Sequence, residues 1–168
     1  MFLQHYHKAT EDTRATGRDW YVTARETVDE YAQAWALPRP MVAGIIAALS
    51  QRRTWQVNLR MARLCIAGHR PRGLSAPIDK ATAIRNGADP DTVLTGNKIR
   101  AFYRAILGDS EAIVLDVHML RAAGHGKSTT PKQYRELALV LHEEALSVHE
   151  TPAAYQAIVW CQVRGKAH

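Results

Sequence analysis

Cysteine, phenylalanine and acidic side chains are scarce in this 168-residue chain. Two cysteines, Cys65 and Cys161, are too few for a disulfide framework or for a four-cysteine zinc or iron–sulfur site. Small secreted scaffolds are thereby excluded, and a reducing cytoplasm fits best. Long apolar runs are missing as well. The longest, Met41 to Leu49, is less than half of the ~20 residues that cross a bilayer. The opening Met1-Phe2-Leu3-Gln4-His5 has no basic segment leading into an apolar one, so neither membrane spanning nor secretion is expected. No repeat, heptad run or low-complexity tract occurs. The eight histidines contain no His-x-x-x-His or His-Glu-x-x-His spacing, so no metal or other cofactor is expected.

What is present is the composition of an ordinary globular protein, 46% hydrophobic and 23% charged, at a length that suits one domain. Lys and Arg number 22 against 16 Asp and Glu, a net charge of +6 that favours a polyanionic partner through counterion release.

Apolar residues recur at helical rather than alternating spacing, which predicts an all-α fold. A helix with Trp20, Val28, Tyr31 and Trp35 is expected from Arg18 to Leu37, ended by Pro38-Arg39-Pro40. Val42, Ile45, Ile46 and Leu49 form the i, i+3, i+4, i+7 stripe of a buried helix that stops at Ser50-Gln51-Arg52-Arg53. Thr54 is placed to cap a helix carrying Trp55, Leu59, Ala62 and Ile66, and a shorter helix is expected from Pro77 to Arg85. Asp89-Pro90 has the form of a cap with proline at the first helical position, and Gly96 interrupts that turn. Ile99, Phe102, Tyr103 and Ile106 mark the next helix, ended by Gly108. Asp116 opens another after an apolar link, Thr130-Pro131-Lys132-Gln133 has capping-box form, and Thr151-Pro152 starts the last. The first dozen residues are expected to be loosely attached. Trp20, Trp35, Trp55 and Trp160 fall at core spacing, which favours packing over base stacking.

The turn Gly96-Asn97-Lys98 sets a lysine among free backbone N–H groups at the positive end of a helix dipole. Phosphate is favoured there and an ammonium is not, which suits an amine nucleophile. Asp116 lies 18 positions further on, room for one helix and a return, so the two side chains can converge across a cleft. The plainer alternatives are a solvated lysine and a helix-capping aspartate.

Leu94-Thr95-Gly96-Asn97-Lys98, the helix with Phe102, and Val114-Leu115-Asp116-Val117-His118 together resemble the helix-hairpin-helix DNA glycosylases of the endonuclease III type, the HhH-GPD superfamily. Ile45-Ile46-Ala47-Ala48-Leu49-Ser50-Gln51 is similar to that family's buried helix, and Tyr155-Gln156-Ala157-Ile158-Val159-Trp160 to its terminal core helix. The resemblance implies a compact helix-hairpin-helix bundle that binds duplex DNA. Lys98 would attack the sugar carbon C1′, and Asp116 would support the cationic sugar. Gln51 would enter the gap left by an everted base. Arg52, Arg53, Gly96, Asn97, Arg100 and His118 would hold the DNA around these groups. Leu94 stands where the family hairpin has its first glycine, and only 46 residues separate Gln51 from Lys98, which implies a pared-down member. Small relatives of this kind are often encoded by bacteriophages, which puts the protein in a bacterial or phage-infected cytoplasm. Base excision with strand cleavage is the leading expectation. Group transfer onto a modified pyrimidine in DNA is a second, and a non-catalytic DNA- or protein-binding module is a third. Arg104, Arg121, His125, Lys127, Arg164 and Lys166 add to the basic surface.

Overall fold

The computed structural model describes residues 1–165; Lys166 lies outside them. Among the described residues the secondary structure is entirely helical: α1 (Leu3–Lys8), α2 (Glu11–Trp35), α3 (Arg39–Ala48), α4 (Trp55–Ile66), α5 (Ser75–Arg85), α6 (Pro90–Val93), α7 (Asn97–Leu107), α8 (Val117–Ala122), α9 (Pro131–Ser147) and α10 (Pro152–Arg164). The fold is all-α. No helix among the described residues is long and apolar enough to cross a membrane.

Six of these helices, α2, α4, α6, α8, α9 and α10, begin where the sequence supplies a side-chain oxygen for their free N–H groups. Thr54 Oγ1 accepts from Val57 N at 3.3 Å, Thr130 and Gln133 close the expected capping box, and Asp89 Oδ1 accepts from Asp91 N at 3.0 Å with Pro90 following. One start lies earlier than the periodicity suggests. α2 begins at Glu11, not Arg18, because Thr10 accepts from Thr13 N and Glu11 and Asp12 occupy the first turn. The polar run before Trp20 hides this turn from a search for apolar stripes.

The N-terminal dozen residues are docked, a correction to the expectation that they are loose. Phe2 is fully buried, Tyr6 stacks on Tyr155 with ring centroids 5.3 Å apart, and the buried Glu144 accepts from Phe2 N and from the Tyr155 hydroxyl at 2.7 Å. Two apolar residues among polar ones were enough to anchor a single helical turn.

Buried apolar side chains form two clusters. The larger joins α2, α4, α5 and α7 around α3, which is buried on every side from Val42 to Leu49. The smaller joins α1, α8, α9 and α10 with Ile113 and Leu115 of the link before α8. α2 lies along α10 and ties the clusters together. Gly17 permits that approach, since a Cβ there would stand 2.6 Å from the Cα of Ile158. Gly44 likewise brings α3 against α6, where a Cβ would meet Pro90 at 2.9 Å.

Candidate active site

A cavity of about 500 Å³ opens at the seam between the two clusters, within the size range of small-ligand sites. Each wall is one helix face, built from residues three or four positions apart. α4 contributes Trp55 and Asn58, α7 Lys98 and Phe102, and α10 Gln156, Trp160 and Arg164. α2 adds Trp20 and Tyr21, the turn before α4 adds Ser50, Arg52, Arg53 and Thr54, and the start of α8 adds Asp116, Val117 and His118. Lys98 thus comes from the side of the larger cluster and Asp116 from the side of the smaller.

Lys98 is half-buried in the first turn of α7. Its position follows from the α6–α7 hairpin. Gly96 adopts φ 84° and ψ 146°, a conformation open to glycine and few other residues, although a Cβ there would meet nothing within 4 Å. Leu94 has φ −73°, so no glycine is needed at that point, and its side chain is buried in the larger cluster. The hairpin is braced by Arg100, whose Nε donates to the carbonyl of Leu94 at 2.9 Å, and by Lys80, whose Nζ donates to Thr95 Oγ1 at 2.8 Å.

Asp116 is the N-cap of α8. Its Oδ1 accepts from the backbone N–H groups of His118 and Met119, both at 3.0 Å, and its Oδ2 accepts from Trp160 Nε1 at 2.7 Å. Three donors therefore fix the carboxylate on the cavity wall. The link leading to it is clamped by Tyr134, whose hydroxyl donates to Ile113 O at 2.6 Å and accepts from Leu115 N at 3.1 Å. Burial pushes that phenol up to about 12, so it remains a donor throughout the neutral range.

The cavity is basic at its edge and aromatic inside. Arg52, Arg53, Lys98 and Arg164 line it with His118, against the single carboxylate of Asp116. No carboxylate among the described residues pairs with any of these four cations. The Arg164 guanidinium lies 4.7 Å from the centre of the Trp160 ring. Arg52 holds φ 53°, left-handed for a residue with a side chain, at the mouth of the cavity. Inside, Trp20 stands with its ring centre 5.4 Å from Trp55, 6.3 Å from Phe102 and 6.2 Å from Trp160.

The expected site residues divide. Lys98, Asp116, His118, Arg52 and Arg53 meet on the cavity. Gln51 does not; it is exposed and borders a separate small recess with Lys80, Leu94 and Thr95. Gly96 and Asn97 are exposed at the head of α7, and Arg100 is engaged with backbone carbonyls. Trp20, Trp55 and Trp160 pack against the clusters as expected and also wall the cavity; Trp35 requires a correction, being 38% exposed. Asn58, Phe102, Gln156 and Arg164 had no place in the expected site. Their signal was the pairing of a polar with an aromatic residue at i, i+3 or i, i+4: Trp55 with Asn58, Lys98 with Phe102, Gln156 with Trp160.

The chain belongs to a family of unknown function, DUF7178, which matches residues 1–167. No curated protein and no solved structure matches it.

Proposed function

We propose that this protein acts on a base in DNA, with Lys98 as the nucleophile and Asp116 as its electrostatic partner. The observation that carries the reading is that Lys98 and Asp116, brought from opposite clusters, line one aromatic cavity whose mouth bears arginines that no carboxylate among the described residues pairs. The resemblance of the hairpin-to-aspartate segment to the helix-hairpin-helix glycosylases supports the same assignment. Arg52 and Arg53 meet the phosphates, a nucleotide turns out of the duplex, and its base enters among Trp20, Trp55 and Phe102. The amine of Lys98 attacks C1′. The electron pair of the C1′–N bond leaves with the base, which takes up the proton that Nζ gives up after attack. The Nζ lone pair then opens the ring at C1′–O4′ to give an iminium, O4′ taking a proton from water, and the fixed carboxylate of Asp116 stabilises the positive charge as it develops on the sugar.

Borohydride reduces such an iminium to a stable amine, so protein mixed with DNA carrying abasic sites or modified pyrimidines should form a trapped complex. Lys98→Ala should abolish trapping with the fold intact, because a half-buried first-turn lysine without partners costs less than about 0.5–1 kcal/mol to remove. Asp116→Asn should bind DNA and fail to turn over. A wild-type protein that never traps, yet alters a modified pyrimidine without releasing it, would replace excision by group transfer.

A further inference from the structure

Three polar or charged side chains are buried among the described residues: Asn58, Glu144 and Gln156. Glu144 is satisfied within the smaller cluster by Phe2 N and the Tyr155 hydroxyl. The other two both line the cavity. Gln156 Oε1 accepts from the Tyr21 hydroxyl at 2.9 Å. Burial raises the Tyr21 phenol well above its ordinary range, so it stays protonated and keeps donating. That bond fixes the amide of Gln156 and leaves its N–H₂ end as the group on offer. Asn58 is 2% exposed, and its Oδ1 has no hydrogen-bond partner. A buried amide oxygen without a donor is unfavourable. The oxygen itself is shielded within the cavity wall, so a turn of the Asn58 amide is what offers it to a donor that enters the cavity.

We infer that Asn58 and Gln156 read the hydrogen-bonding edge of a nucleobase held between the aromatic walls, the Asn58 oxygen accepting from a base N–H and the Gln156 amide donating to the adjacent ring nitrogen or carbonyl. The ligand class is a flat heterocycle that carries a donor next to an acceptor. Trp20, Trp55 and Phe102 supply faces for such a ring, and every base stacks on an aromatic surface, so stacking alone gives little selectivity. Selectivity must come from groups that match an edge, and side-chain amides do so because they present an acceptor and a donor side by side. The inference rests on reading the cavity as the place that receives a nucleotide. It adds that the protein selects what the base is, and does not merely accept a sugar-phosphate or an abasic site.

The four tryptophans provide a direct readout, because three line the cavity and Trp35 does not. Full-length protein labelled with ¹⁵N is titrated with each of the four deoxynucleoside 5′-monophosphates, with deoxyribose 5-phosphate and with inorganic phosphate, and the indole N–H signals are followed. The expected result is movement of the Trp20, Trp55 and Trp160 signals with a still Trp35. At least one nucleotide should bind about tenfold or more tighter than deoxyribose 5-phosphate. Asn58→Leu, which keeps the side-chain shape and removes the unmet oxygen, should lose about tenfold in that affinity with no loss of thermal stability. Gln156→Glu keeps an oxygen for Tyr21 and replaces the donor with an acceptor; it should show the same loss of affinity and stands in if Asn58→Leu does not fold. Equal binding of deoxyribose 5-phosphate, undiminished nucleotide binding in both variants, or no indole movement with any nucleotide would overturn the inference. Its failure is separable from that of the excision reading. Base-selective binding without borohydride trapping leaves edge reading and removes the lysine chemistry, whereas trapping on abasic DNA without base-selective binding does the reverse.

Discussion

Asp116 shows how one side chain serves fold and site together. As a helix cap it holds two backbone N–H groups, and through Trp160 it is tied to the last helix, so the same three bonds that finish α8 aim a carboxylate into the cavity. Removing the indole N–H separates these roles. Trp160→Phe keeps a ring under Arg164 and leaves the cap in place, so the expected loss of stability is about 1.5–3 kcal/mol, the worth of a hydrogen bond to a charged acceptor. Turnover should fall about 10- to 100-fold with DNA affinity retained, measured as kcat against KM; an unchanged kcat would show that Asp116 needs no positioning. The sequence makes Lys98 and Asp116 legible because each stands at a helix start, beside a glycine or after an apolar link. Asn58 and Gln156 carry only the weaker signal of an aromatic partner three or four positions away, which marks a shared helix face but not its burial. An amide inside a helix gives no local sign of burial, and only the meeting of α4, α10 and α2 turns these residues toward one space.

The α6–α7 hairpin converts a backbone requirement into the location of an amine. Gly96 alone in this turn takes a conformation that a side chain resists, and Lys98 follows two residues later. Gly96→Ala should therefore cost about 1–3 kcal/mol in urea unfolding and reduce the yield of trapped complex, although space for the methyl group is open. A fully stable variant with undiminished trapping would mean that the hairpin does not set the lysine. Most helix limits here are readable from caps: Thr54, Asp89, Thr130 and Thr151 each accept a first-turn N–H. The limits that escape notice are those fixed by distant contacts. α1 exists because Phe2 and Tyr6 find a hydrophobic seat against Leu141 and Tyr155, and the early start of α2 passes through Gly17, whose absent Cβ is a matter of α10.

Two apolar clusters with a basic, aromatic seam between them make the whole molecule sensitive to alkali. The Cys161 thiol is pushed from 9.0 up to about 11 by burial, and the Tyr134 phenol from 10.0 up to about 12. Both folded values lie above the unfolded ones, so their contribution is complete below about pH 9 and is lost as pH rises toward 12. Within its own window each group lowers stability by about 1.4 kcal/mol per pH unit, because the unfolded chain has released the proton that the folded chain retains. The urea midpoint should be flat from pH 7 to 8.5 and fall beyond it, less steeply in Cys161→Ala; a flat profile to pH 11 would contradict this. If the proposed function holds, the net charge of +6 and the cations at the cavity mouth, which no carboxylate among the described residues pairs, should make DNA affinity fall with salt, by about −0.9 in log–log slope for each phosphate neutralised. The central claim, that the cavity brings an amine to a sugar in DNA, is met most directly by mapping the borohydride-reduced adduct on the wild-type chain by peptide mass spectrometry. The account predicts one modified peptide with the deoxyribose remnant on Lys98. An adduct on Lys127 or another surface lysine, or none on substrates that the protein demonstrably alters, would contradict it.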